Sequence, residues 1–187
     1  PTPCGELTVE GNHIHHVMQL LSDGGGIYTL GRQPGTVLRG NCIHHVPPNA
    51  GRAESNGMFL DEGTDAMQIE GNLIHDVACS PLRFHRAQRV IVNNNLLVVA
   101  QNKPPVAYNA TNAATIAQSG NLIGASAADF GDAATEIRRK CGPSAEVLAA
   151  WLAESDAAEE AGNSSDAGLD EPSTEAPVVE DAEPPAP

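Results

Sequence analysis

The chain is 187 residues long, one ordinary domain, and carries 24 Asp and Glu against 10 Lys and Arg, a formal net charge of −14. Eleven of the acidic residues lie from Glu154 onward and every Lys and Arg precedes Cys141, which leaves the body 13 acidic against 10 basic groups, net −3. A body so near neutrality, without a Lys/Arg run, lacks the electrostatic footprint of a nucleic-acid binder, and apolar runs of only a few residues exclude a transmembrane helix.

A repeated segment organises the first two thirds of the chain. Val9-Glu10-Gly11-Asn12-His13-Ile14-His15-His16-Val17 returns as Leu38-Arg39-Gly40-Asn41-Cys42-Ile43-His44-His45-Val46 and as Ile69-Glu70-Gly71-Asn72-Leu73-Ile74-His75-Asp76-Val77, with a weaker copy at Ile91–Val99. Aligned on Asn12, Asn41, Asn72 and Asn94, branched apolar residues stand three before, two after and five after each Asn. Such offsets describe short strands whose inward side chains stack coil on coil. The Asn, usually after Gly, marks a recurring tight corner. The expected fold is all-β, a right-handed parallel β-helix of about four coils over residues 1–128. Its first coil lacks a preceding strand, so the chain reads as the C-terminal piece of a longer solenoid whose upstream rungs are missing.

The same register sorts the polar residues. Glu10, Arg39 and Glu70 form an exposed charge ladder, and His15, His44 and His75 a column of imidazoles. Metal ligands lie within about 4 Å of one another, whereas the first and third coils are about 9.6 Å apart, so two of these histidines could share an ion but a three-His metal site is not expected; the column reads as stacked surface imidazoles. Cys4, Cys42, Cys79 and Cys141 match no C-x-x-C pattern and read as isolated thiols.

Between the corners, Gly26-Ile27-Tyr28-Thr29-Leu30 aligns with Gly57-Met58-Phe59-Leu60-Asp61, each Gly standing 15 residues before its Asn. In the shorter third coil Leu82-Arg83-Phe84-His85 fits the alternation, placing Arg83 beside Phe59 and His85 beside Asp61. One outward surface then carries Tyr28, Phe59, Arg83, Asp61 and His85, a set suited to a sugar chain because pyranose faces pack on rings and hydroxyls need charged partners. The Gly24-Gly25-Gly26 run lacks the lysine of a phosphate loop and is expected to turn the backbone sharply, bringing Asp23 to a groove.

Past Asn121 the pattern becomes helical. A helix over Asp132–Cys141 stops at Gly142-Pro143, and Ser144 caps a second with Val147, Leu148, Trp151 and Leu152 on one stripe, giving a helical cap over residues 129–154 that packs on the last coil. Residues 155–187 are Ala, Glu, Asp, Pro, Ser and Gly without periodicity, an acidic tail expected to be disordered.

Asn12–His16, Ser22–Gly31 and Met58–Gly63 together resemble the C-terminal rungs of β-helix proteins of the pectate-lyase-like superfamily, most of all the family 141 glycoside hydrolases that include fucosidases and xylanases. The resemblance, over about residues 5–125, implies an extracytoplasmic enzyme on plant or algal polysaccharide, no cofactor, and Asp23 and Asp61 as the carboxyl pair. Hydrolysis needs one protonated and one ionised carboxyl, about 5–5.5 Å apart for retention or 6.5–9.5 Å for inversion. A straight strand would hold Asp23 and Asp61 some 20 Å apart, so Glu62, or Glu54 at the offset of Asp23, also stands as a partner to Asp61, and His85 as a proton donor. The alternatives are a non-catalytic glycan-binding β-helix module and a polysaccharide lyase. A lyase wants clustered Asp for Ca²⁺, which the coils lack.

Overall fold

In the computed structural model, which describes residues 4–48, 51 and 53–151, the chain winds into a parallel β-solenoid of about four turns. Three all-parallel sheets run along it. The first stacks β1 (Thr8–Glu10), β4 (Val37–Arg39), β7 (Gln68–Glu70), β10 (Val90–Asn93) and β13 (Ile116–Ser119). The second stacks β2 (His13–His15), β5 (Cys42–His44), β8 (Leu73–Ile74), β11 (Leu96–Val98) and β14 (Leu122–Gly124). The third stacks β3 (Gly24–Thr29), β6 (Ser55–Leu60), β9 (Leu82–His85) and β12 (Val106–Asn109). Apolar side chains at every second position line the interior: Leu38, Ile69 and Val92 from the first sheet, Ile43, Ile74 and Leu97 from the second, and Met58, Leu60, Leu82 and Phe84 from the third, all essentially without solvent access. Each such burial stabilises the fold by roughly 1.5–3 kcal/mol.

The corner between the first two sheets is built on one column of asparagines. Asn12, Asn41, Asn72, Asn95 and Asn121 stack so that each Oδ1 accepts from the backbone N–H of the preceding coil's Asn at 2.9–3.0 Å and from its Nδ2 at 2.9 Å. The Nδ2 groups of Asn41, Asn72, Asn95 and Asn121 also donate to the carbonyls of Val9, Leu38, Ile69 and Val92.

The fourth member is Asn95, and not Asn94 as the sequence alignment expected. The residue ahead of each ladder Asn takes a left-handed backbone, and Gly11, Gly40, Gly71 and Gly120 fill that slot with φ of 58 to 63°. Asn94 fills it in the fourth coil with φ 54°, because Asn tolerates that region better than other residues bearing a Cβ. The slip of one residue reverses the facing of the whole strand. Val92 pairs with Ile69 and points inward, while Ile91, expected inside, is exposed.

The triple glycine also departs from expectation. None of Gly24, Gly25 and Gly26 has a positive φ; all three lie in β3. Their smallness serves close approach. A Cβ on Gly26 would stand 2.5 Å from Ile43 Cγ2, and one on Gly57, its neighbour a coil on, 2.4 Å from Ile74 Cγ2 and 2.6 Å from the Pro81 carbonyl oxygen. Gly57→Ala is therefore expected to cost about 2–3 kcal/mol by overpacking, read as a lower urea midpoint at unchanged slope; an unchanged midpoint would mean that the third sheet can shift outward freely.

The helix α1 (Gly131–Lys140) follows the last coil and lies on the outer face of the second sheet. Ala134 is buried there with Cys42, Leu73 and Leu96, and Phe130, Ile137 and Cys141 pack around them. Arg138, Arg139 and Lys140 in its last turn complement the helix dipole. Gly142, with φ 81°, ends it, and its N–H donates to the Gly11 carbonyl at 2.8 Å, tying the helix end to the first coil. The chain divides at Gly142 into two compact units. In the second, Ser144 Oγ accepts from the Val147 N–H at 3.2 Å at the start of a helical stretch, on which Val147, Leu148 and Trp151 are exposed. Leu152 and the acidic segment 155–187 lie outside the described residues. Among those described, no helix is long and apolar enough to cross a membrane.

Candidate functional site

The third sheet sets the geometry of the expected site. Tyr28 pairs with Phe59, and Phe59 with Arg83, so the strands bring these three side chains into one row. Asp61 follows β6 and His85 ends β9, one coil apart at the same level. The Asp61 carboxylate is nearly buried and accepts from the Tyr28 hydroxyl at 2.5 Å and from His85 Nδ1 at 2.7 Å.

Burial works to raise the Asp61 pKa, but the hydrogen bonds from Tyr28, His85 and the Glu62 backbone outweigh it, so the carboxyl is held below its usual range. The reciprocal effect falls on Tyr28. Its hydrogen bond to Asp61, then burial, then the charges of Asp61, Asp23 and Glu62, push the phenol up to about 12. Tyr28 and Tyr108 are the only tyrosines, so in a Tyr108→Phe background near-ultraviolet titration is expected to show a single phenol ionising near 12, returning toward the ordinary value of about 10 in Asp61→Asn. A phenol titrating normally with Asp61 intact would refute the contact. The raised value also fixes the sign of its linkage to folding: the stabilisation is complete below about pH 10 and fades as pH rises through about 12.

The row is not the open aromatic platform that the sequence suggested. Phe59 is 1% exposed, with Tyr28 against it edge-on at 5.4 Å and the Arg83 guanidinium carbon 4.4 Å from its ring centre. Tyr28, 44% exposed, is the accessible ring, beside exposed Leu30. Arg83 Nη1 is buried and has no hydrogen-bond partner among the described residues.

The remaining carboxyl groups fall elsewhere. Glu54 stands at the opposite end of β6 in an ion pair with Lys103 at 2.7 Å, and exposed Glu62 pairs with Arg86. Asp23 is exposed and precedes β3 with a left-handed φ of 64°, which breaks the strand line there. Strand register places Asp61 seven residues beyond the level of Asp23, yet the charge of Asp23 reaches the Tyr28 hydroxyl. A buried carboxylate passed over in the sequence is Asp65, gripped by Arg89 through Nε at 2.7 Å and Nη2, with Arg32 Nε at 3.5 Å. Arg32, Asp65 and Gln88 share one register position, a signal readable once the coils are aligned.

A second polar cluster lies on the outer face of the second sheet. His15, His44 and His75 stack as expected, with centroids 5.2 and 4.8 Å apart, and His13, His16 and His45 crowd against them. Burial first, and then the neighbouring rings, push His44 down to about 4. Burial also leads in lowering His13 and His75.

Compared with known proteins, the chain matches no family model, no curated protein and no solved structure. Chemically, the third sheet offers a carboxylate oriented by a phenol and an imidazole, with an accessible ring beside it.

Proposed function

We propose that this solenoid is a carbohydrate-active module that lays a polysaccharide along the outer face of the third sheet and hydrolyses a glycosidic bond there. The observation that carries the reading is the Tyr28–Asp61–His85 constellation. A carboxylate kept ionised while nearly buried suits a nucleophile or general base, not the acid that releases the leaving oxygen. Glu62 and Glu54 are committed to Arg86 and Lys103, which leaves Asp23, exposed ahead of β3, as the carboxyl assigned the role of acid. Tyr28, the exposed ring of the row, stacks on a sugar face. The resemblance of these rungs to family 141 glycoside hydrolases supports the same assignment, with plant or algal polysaccharide as substrate and an extracytoplasmic setting.

The second reading is a binding module without chemistry. It is favoured by the ion pairs that occupy Glu54 and Glu62, which leave Asp61 a single candidate partner. One experiment separates the two: the chain is incubated with a panel of plant and algal polysaccharides, and new reducing ends, unsaturated products and retention in affinity gels are measured. Hydrolysis predicts reducing ends without unsaturation, lost in Asp61→Asn while retention persists. Retention alone, weakened by Tyr28→Ala, establishes the binding module. Unsaturated ends would mean a lyase, and neither release nor retention defeats the carbohydrate reading.

A further inference from the structure

We propose that His13, Cys42 and His44 form a binding site for a borderline-soft divalent transition metal, zinc above all, on the outer face of the second sheet. The side chains come from two adjacent coils. His13 and Cys42 are register partners on β2 and β5, and His44 lies two residues beyond Cys42 on the same face. One donor atom from each lies within 4.8 Å of the others, and the two histidine Nε2 atoms are 2.7 Å apart. Zinc bonds nitrogen at about 2.0–2.1 Å and thiolate sulfur at about 2.3 Å, so a tetrahedral ion needs donors roughly 3.3–3.8 Å apart. The 2.7 Å between the two Nε2 atoms would open, and the longest donor separation, at most 4.8 Å, would close, to reach that spacing.

The surroundings suit the ion as well. Cys42 is buried and His13 exposed, giving one dry side and one open side. The far nitrogen of His44, Nδ1, meets His45 Nδ1 at 2.5 Å, which leaves Nε2 as the ligating end. Behind Cys42, His75 Nε2 stands 3.9 Å from the sulfur and carries Asp76 on its Nδ1 at 2.7 Å, while Arg138 Nη2 approaches the same Nε2 at 3.3 Å. Burial, and then the neighbouring Cys141, push the Cys42 thiol up to about 11 with Arg138 opposing, so a bound ion has to displace that proton. Cys141 packs in the same small cluster, but its Sγ is engaged with the Gly40 carbonyl at 3.0 Å. The fourth position is therefore solvent on the exposed side, the pattern of an open site. Binding releases the Cys42 proton and clips the first coil to the second. The site lies on a different sheet from Tyr28, Asp61 and His85, and the proposal stands apart from the glycan reading.

The test is titration of the untagged full chain with Co²⁺ alone, under a phosphine reductant, followed by Zn²⁺. One Co²⁺ per chain is expected, with a near-ultraviolet thiolate-to-cobalt band and tetrahedral visible bands, displaced by one equivalent of Zn²⁺. Cys42→Ser should abolish the thiolate band. His13→Gln, on an exposed edge strand where folding is not at stake, should weaken affinity at least tenfold, with circular dichroism unchanged. His16→Gln should bind as the parent does. Binding without a thiolate band, binding that survives both Cys42→Ser and His13→Gln, or no binding would overturn the proposal.

Discussion

Asn72→Ala is expected to destabilise the solenoid by about 4 kcal/mol, roughly a thousandfold in the folding equilibrium. The Asn72 side chain has no solvent access and makes four hydrogen bonds. Its Oδ1 accepts from the Asn41 N–H and Nδ2, and its Nδ2 donates to the Leu38 carbonyl and Asn95 Oδ1. Truncation leaves all four partners buried beside a hole. Asn41 Nδ2 keeps the Val9 carbonyl and Asn95 Oδ1 keeps the Asn72 N–H, so the loss falls mainly on the Asn41 N–H and the Leu38 carbonyl, at about 1–3 kcal/mol each. Position in the column grades the effect. Asn12 is exposed at the first coil, so Asn12→Ala should cost under about 1 kcal/mol. The fourth coil separates ladder from corner: Asn95→Ala should be as damaging as Asn72→Ala, whereas Asn94→Gly should be close to neutral, since glycine fills that left-handed slot in the other coils. Urea unfolding of the four variants checks this, and equal losses in Asn12→Ala and Asn72→Ala would refute the ladder as the source of the stability.

On the proposed hydrolase reading, Asp61→Asn is expected to lower glycan hydrolysis about a thousandfold with little change in glycan retention, within the range that a positioned base or nucleophile supplies. The amide keeps an acceptor for Tyr28 and the shape of the site, but cannot ionise. The acid limb of the rate profile is expected below the ordinary carboxylate range, because the Asp61 pKa is lowered in the folded chain. Tyr28→Phe removes one of the hydrogen bonds that lower it and should move that limb upward, a shift that loss of packing alone would not produce. The stability linkage has the matching sign. A carboxyl whose pKa is depressed on folding stabilises the native state above its unfolded value of about 3.9, and that contribution disappears as pH falls through the lower native value. Asp61→Asn should therefore narrow the gap between stability at neutral pH and at acid pH. A rate unaltered by Asp61→Asn would remove this carboxylate from the chemistry.

Much of this was legible in the chain because a parallel solenoid converts a linear offset into a neighbour relation. The spacings among Asn12, Asn41 and Asn72 suffice to pair Leu38 with Ile69 and to stack the imidazoles of His15, His44 and His75. The offsets of Gly26, Gly57 and Leu82 likewise bring Phe59 beside Arg83 and Asp61 beside His85. Where three asparagines follow one another, at Asn93, Asn94 and Asn95, side-chain chemistry does not fix the frame. The left-handed slot ahead of each ladder Asn does, and that slot is a backbone property.

What the sequence determined by itself, then, is the coil: its period and, through the first three turns, the facing and the rows that lie on each sheet, since these follow from strand alternation repeated at near-constant intervals. What only the tertiary structure decided is whatever joins different columns or different sheets. The covering of Phe59 by Tyr28 and Arg83 depends on how long side chains lean across a surface. The convergence of His13 with Cys42 and His44 crosses two columns, and the seating of α1 against Cys42, Leu73 and Leu96 depends on where the chain turns back after its last coil. Periodicity carries information along the stack; contacts lateral to it are set by side-chain length and the path of the connecting segments, which no repeat encodes.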